Sequence, residues 1–145
     1  MTLEVRRTRD ESELVEALAL RTEVFVGEQG VPAEAEIDDI DPHAIHLVAV
    51  DADGAVQATC RVFADGEDAM RVGRLCVRTS ARRRGLGAAL LAEAEREGRA
   101  AGARRMVMNA QTAVMSLYVA IGYEPRGERF DEVGIEHLAM EKELV

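Results

Sequence analysis

The chain has 145 residues and a mass of 15.8 kDa, which fits one domain spanning residues 1–145, since single domains commonly run to about 100–150 residues. It is 48% hydrophobic and 31% charged, a balance that excludes a disordered tail or a fibre. The 27 acidic residues outnumber the 18 basic ones and leave a net charge of −9, a field that disfavours nucleic acid and anionic membranes as partners.

The opening stretch, MTLEVRRTRDESE, carries no apolar signal core, and no run reaches about 18 apolar residues, so the expected compartment is the cytoplasm. Leu3 and Val5 alternate with Glu4 and Arg6 and predict a short strand over 2–8. Asp10 and Ser12 precede an apolar series at Leu14, Ala17, Leu18, Val24 and Phe25, with Arg21 among them, and this predicts a capped amphipathic helix ending near Gly27–Gly30. Residues 33–43, AEAEIDDIDPH, are acidic and irregular and read as a loop, either solvated or placed to attract a cationic amine. His46–Val50, Val56–Phe63 and Met70–Val77, joined by turns at Asp53-Gly54 and at 64–68, predict three antiparallel strands. Within them His46 reads as a structural histidine. Cys60 and Cys76 form no CxxC, so neither a disulfide framework nor a zinc site is expected, and Cys76 reads as a buried thiol.

After a polar loop at 79–84, Leu86, Leu90, Leu91, Ala94, Gly98 and Ala101 share one helical face, and Gly102 ends that helix. A buried strand over 106–110 follows. Val114, Leu117, Tyr118 and Ile121 then predict a helix with Gly122 beyond its end. Tyr123 opens a strand interrupted by Pro125, and 135–144 alternate as the last strand. The order β-α-β-β-β-α-β-α-β-β predicts an α/β (α+β) fold: a mixed, mostly antiparallel sheet of about six to seven strands with helices on both faces.

The segment richest in chemistry runs from Arg71 to Leu90: a strand, a basic glycine-containing loop, and a helix. The first N–H groups of a helix lack intrahelical partners, and the peptide dipoles make that end positive. A diphosphate fits there. Gly85 and Gly87 let it approach the backbone, and Arg82, Arg83 and Arg84 add charge in an otherwise acidic chain. No GK[ST] follows and position 90 is Leu, which disfavours both a Walker loop and a full GxGxxG.

Arg82-x-x-Gly85-x-Gly87, after the strand Leu75-Cys76-Val77, resembles the acyl-CoA pyrophosphate motif of the GNAT N-acetyltransferase superfamily. Ser116-Leu-Tyr-Val-Ala-Ile-Gly-Tyr123 resembles its second signature. Arg21-x-x-Val24-Phe25-Val26-x-Glu28-Gln29 and Gly127-x-x-Phe130-x-Glu132-x-Gly134-Ile135-x-His137 are similar to its ElaA/YjcF-like branch. The resemblance spans nearly the whole chain. It implies that backbone groups of Leu75, Cys76 and Val77 pair with the pantetheine arm of acetyl-CoA. It further implies that N–H groups from Arg83 through Gly85, Leu86 and Gly87 to Ala88 hold the pyrophosphate. Tyr118 would protonate the leaving thiolate. Gln111 stands where many members carry an Asn that bonds the cofactor. Many members also place a Glu on the strand before the tyrosine helix; here that strand reads Met106-Val107-Met108, so the base must lie elsewhere or the amine must arrive deprotonated through bulk water.

Glu28, Glu132 and His137, near predicted loops and strand ends, are the candidate bases or substrate contacts. The function expected is transfer of an acetyl group from acetyl-CoA to a primary amine of a small molecule or peptide, by direct attack. The alternative is a non-catalytic acyl-CoA-binding or sensing module on the same fold. The pattern implies no metal and is compatible with a homodimer. An arginine-driven nucleic-acid binder is disfavoured by the net charge and by only five Tyr and Phe residues for base stacking.

Overall fold

The computed structural model describes residues 3–145. Strand β1 (Glu4–Arg7) leads into helix α1 (Glu11–Arg21), whose N-cap Asp10 accepts the Glu13 N–H at 2.9 Å. A second helix, α2 (Ala33–Glu36), is a single turn. The antiparallel strands β2 (Ile45–Val50), β3 (Val56–Ala64) and β4 (Ala69–Val77) come next, then helix α3 (Leu86–Ala100) and strand β5 (Arg105–Gln111). Helix α4 (Met115–Ala120) and the hairpin β6 (Glu124–Glu132) and β7 (Ile135–Glu143) close the chain. Among the described residues the sheet has seven strands in the order β1-β2-β3-β4-β5-β7-β6, and only the β4–β5 pair is parallel.

Alternation along the strands sends side chains to two separate cores. Leu47, Ala49, Cys60 and Val62 face α3 and pack on Leu86, Leu90, Leu91 and Ala94. Val48, Val50, Val56 and Cys76 face α1 and pack on Ala17, Leu20, Val24 and Phe25. The expected helices on both faces are therefore present. Helix α3 lies so close to the sheet that a Cβ on Gly98 would stand 2.8 Å from the Met106 sulfur and 3.0 Å from a Leu144 methyl. This explains a glycine in mid-helix despite its conformational cost.

Three local features differ from the sequence reading. After Arg21 the first helix widens into a π-helical stretch, Thr22–Glu28. Side-chain spacing does not reveal this, since Val24 and Phe25 are buried against the sheet either way. Residues 33–43 are not a solvated acidic loop. They contain α2 and a 3₁₀ turn at Asp41–His43, and Glu36 and Asp41 are buried. The helix expected from Val114 begins as a 3₁₀ turn, Thr112–Val114, and its apolar residues Val114 and Leu117 are exposed. Pro125 lies in β6, whose free edge needs no N–H there.

Candidate active site

The parallel pair β4–β5 is joined only at Ala69, Met70 and Arg71. Beyond Arg71 the two strands separate. A bulge causes this: β3 residues Thr59 and Arg61 face Cys76 and Gly73, so two β4 residues, Arg74 and Leu75, answer one on β3. Arg74 takes φ +53, a left-handed conformation uncommon for a side-chain-bearing residue. The separation leaves one backbone edge of β4 from Val72 to Val77 without a strand partner, while its other edge remains bonded to β3. An extended chain laid in this notch would hydrogen-bond as an added strand.

A cleft of about 940 Å³ runs through the notch from one face of the sheet to the other. At one end lies the start of α3. Its N-cap, Gly85, has φ +78 and supplies no side-chain cap, so the N–H groups of Leu86, Gly87 and Ala88 point outward unbonded by the helix. Arg83, also left-handed at φ +64, lines the cleft there and has no ion-pair partner among the described residues. Arg82 turns back: its Nε donates to the Val77 carbonyl at 3.0 Å, and its Nη2 meets both Glu28 carboxylate oxygens at 2.8 and 3.0 Å. Arg84 does not line the cleft, unlike the other cofactor candidates Leu75, Cys76, Val77, Arg82, Arg83, Gly85, Leu86, Gly87, Ala88 and Gln111.

At the middle of the cleft stands Tyr118, 8% exposed, edge-on to Tyr123 with ring centroids 6.4 Å apart. Its hydroxyl has no hydrogen-bond partner among the described residues. Burial pushes its pKa up to about 12, so it is protonated at neutral pH and able to donate. Burial likewise pushes the Cys76 thiol up to about 12, which leaves it a poor nucleophile.

Three loop and strand-end candidates take different positions. Glu28 is spoken for by Arg82 and by the Thr79 hydroxyl at 3.1 Å, and the Arg82 hydrogen bond holds its carboxyl below the usual range. His137 is buried on β7, stacked on Phe130 with ring centroids 6.0 Å apart. Its Nδ1–H donates to the Ile135 carbonyl at 2.7 Å, which turns Nε2 toward a Glu132 oxygen 3.7 Å away. Gln111 lies opposite His137 in the β5–β7 ladder, and its amide donates to Gln29 at 2.9 Å. Glu28 and Gln29, both following α1, thus reach across the cleft.

Sequence reading missed Asn109, an exposed residue in an otherwise mostly buried strand whose side chain lines the cleft. It also missed an ion cluster. Arg21, 1% exposed, pairs with Glu36 at 2.7 Å and Asp41 at 2.7 Å. Arg61 pairs with Asp38 and Asp41 at 2.6 and 2.9 Å, and Arg74 with Asp38 at 3.3 Å. Arg74 also donates to the carbonyls of Ala35 and Glu36, which ties α2 to the bulge. The Asp41 carbonyl accepts from His46 at 2.9 Å, so that histidine is structural, as expected. The signal was available: a lone arginine in the apolar series of a helix, followed by acids at 36, 38 and 41.

A family model for the acetyltransferase (GNAT) domain matches residues 9–144. The chain belongs to the GNAT acetyltransferase family. The uncharacterized N-acetyltransferase YjcF of Bacillus subtilis (strain 168) is 36% identical over 136 residues, covering 93% of this chain and 96% of YjcF. An acyl-CoA N-acyltransferase from Pseudomonas aeruginosa superposes with a TM-score of 0.86 at 29% identity, covering 97% of this chain and 99% of that one. Escherichia coli ElaA superposes at 0.85 with 23% identity, over 97% and 99% of the two chains. This GNAT chain therefore falls in the ElaA/YjcF-like branch, and its notch, basic loop and tyrosine occupy one continuous cleft. Among its described residues no helix is long and apolar enough to cross a membrane, and no group of three or more His, Cys, Asp or Glu side chains is arranged for a metal ion.

Proposed function

We propose that this protein transfers the acetyl group of acetyl-CoA to a primary amine by direct attack. The observation that carries the reading is the continuity of one cleft past the unbonded start of α3, the unpaired edge of β4 and the unpartnered hydroxyl of Tyr118. In this reading the N–H groups of Leu86, Gly87 and Ala88, with Arg83, hold the diphosphate. The Leu75–Val77 backbone bonds the pantetheine arm, and Gln111 contacts it. Val114 and Leu117, exposed on the cleft wall, supply apolar cover.

The amine nitrogen attacks the thioester carbon, forming the C–N bond and a tetrahedral oxyanion. Backbone N–H groups of β4 stabilise that oxyanion. The C–S bond then breaks and its electron pair stays on sulfur. The proton released by nitrogen goes to a base, and the leaving thiolate takes its proton from water as CoA departs. His137, which lines the cleft with Nδ1 committed to the Ile135 carbonyl, serves as the base through Nε2, and Glu132 beside it stabilises the resulting imidazolium. Glu28, already paired, serves instead to fix Arg82 at the mouth of the cleft. A tyrosine whose pKa is pushed up to about 12 is a weaker acid than an ordinary thiol, about 8.5. Tyr118 therefore contributes most as a hydrogen bond to sulfur while the C–S bond stretches.

CoA titration tests the cofactor half of the reading. CoA at 100 times its dissociation constant should stabilise the native state by about 2.7 kcal/mol and raise the melting temperature. No calorimetric binding at millimolar CoA would remove the cofactor site. Gly87→Val sharpens the test. A Cβ there meets only Leu117 and Leu75 methyls, at 3.8 and 3.9 Å, so the fold accommodates it. Its branches crowd the phosphate position, and CoA affinity should fall at least about tenfold with little change in the unliganded melting temperature. Unaltered affinity would place the diphosphate elsewhere.

A further inference from the structure

The acceptor half of the cleft carries a charge pattern that the acid-rich sequence does not suggest. Register puts Arg71 opposite Phe63 and Gly73 opposite Arg61, so these four share one face of the sheet, and all line the cleft. Behind them, Arg21, Arg61 and Arg74 are matched by Glu36, Asp38 and Asp41, three positive charges against three negative. Glu36, Asp38 and Asp41 are therefore committed to arginines and do not offer a site for a cationic amine.

Arg71 stands outside this balanced set. Only its Nε is bonded, to Asp65 on an exposed turn at 2.9 Å. Its two terminal nitrogens have no hydrogen-bond partner among the described residues, nor does Nη1 of Arg74. Arg61, 4% exposed, holds a buried Nε–H without a partner, so hydrogen bonding on this wall is incomplete. Gly73, between Arg71 and Arg74, has nothing within 4 Å of its Cβ position, which leaves open space over the strand.

Resting on the acetyltransferase reading, we infer that the acceptor is a primary amine bearing a carboxylate or phosphate, whose oxyanion is held by Arg71 and Arg74 over Gly73. Arginine suits this role because its planar fork donates two parallel hydrogen bonds to such a group. The amine then lies toward Asn109 and His137, one and two strands away from β4. An ω-amino acid and an amino-sugar phosphate each carry an amine and an oxyanion apart from one another, and they serve as probes of the two kinds of anion.

The test measures kcat/KM with acetyl-CoA for matched amines: 6-aminohexanoate, hexylamine and cadaverine as one set, glucosamine 6-phosphate and glucosamine as another. The two sets separate a carboxylate from a phosphate source. The anionic member should lead its set by about 10- to 100-fold, and Arg71→Gln should shrink that ratio by a similar factor, with Arg71→Lys restoring part of it. A ratio is insensitive to a general loss of folded protein. Neutral amines or diamines that equal or exceed the anionic ones would overturn the inference while leaving the acetyltransferase reading intact, and so would an unchanged ratio in Arg71→Gln. Titration of N-acetyl-6-aminohexanoate and N-acetylglucosamine 6-phosphate into the CoA-saturated protein decides the anion site without turnover. Binding of either that weakens at least about tenfold in Arg71→Gln supports it, and no binding of either refutes it. If no amine in either set is acetylated, the acetyltransferase reading fails on its own.

Discussion

Tyr118→Phe should lower turnover by about 10²–10³-fold, the range for losing one hydrogen-bond donor to charge that develops in the transition state, while CoA affinity and melting temperature barely change. The substitution removes one oxygen and keeps the ring. That ring packs edge-on to Tyr123 within the α3-side core, and phenylalanine preserves the contact. Because the hydroxyl has no partner among the described residues, its loss strands no buried donor or acceptor. A structural tyrosine gives the opposite pattern: some loss of stability and no specific kinetic defect. Turnover and CoA affinity measured on the same variant separate the two. Full activity in Tyr118→Phe would remove the residue from the chemistry and leave His137 with Glu132 as the proton-handling groups.

Arg21→Met should cost about 3–5 kcal/mol of stability, roughly a 100- to 5,000-fold fall in the folded-to-unfolded ratio, because it leaves Asp41 buried with Arg61 alone and Glu36 buried with Arg74 3.6 Å away as its remaining cation. Urea unfolding measures it. The control is Arg7→Met: Arg7 pairs with Glu97 at 2.6 Å but its side chain is 61% exposed, and exposed pairs contribute about 0–1 kcal/mol. Equal costs for both would mean that the ion cluster does not organise the α2 region. The cluster also sets an acid limit. Burial alone would raise the Asp41 pKa, but hydrogen bonds from Arg21, the Asp38 N–H and Arg61 outweigh it and hold the carboxyl low. Arg61 likewise holds Asp38 low. A carboxyl lowered in the folded state stabilises above its unfolded pKa, about 3.9, and that contribution fades as pH falls below it. Stability of the wild type should therefore decline steeply below about pH 4, and less steeply in Arg21→Met.

Much of the architecture was legible because its periods are clear. The β2–β4 run alternates between two cores, the Asp53-Gly54 turn sets one hairpin, and α3 presents one apolar face. The loop and helix start at 79–87 were legible from their arginines and glycines, while their use as a cofactor site rests on the family resemblance. What stayed hidden depends on contacts distant in sequence. The left-handed Arg74 leaves no local mark, since its conformation is held by carbonyls 38 and 39 residues away. The acids at 36, 38 and 41 look solvated until α1, β3 and β4 bring arginines to them. Glu28 looked like a free carboxylate because its partner, Arg82, is 54 residues on.

The most direct measurement is CoA release from acetyl-CoA by the purified protein in the presence of primary amines, with the acetylated amine identified by mass spectrometry. Stoichiometric CoA and N-acetylated product, dependent on both protein and amine and strongly reduced in Tyr118→Phe, is the result expected. Tight CoA binding with no acetylated product from carboxylated, phosphorylated, neutral or cationic amines would contradict catalysis and leave a CoA-binding module on the same fold.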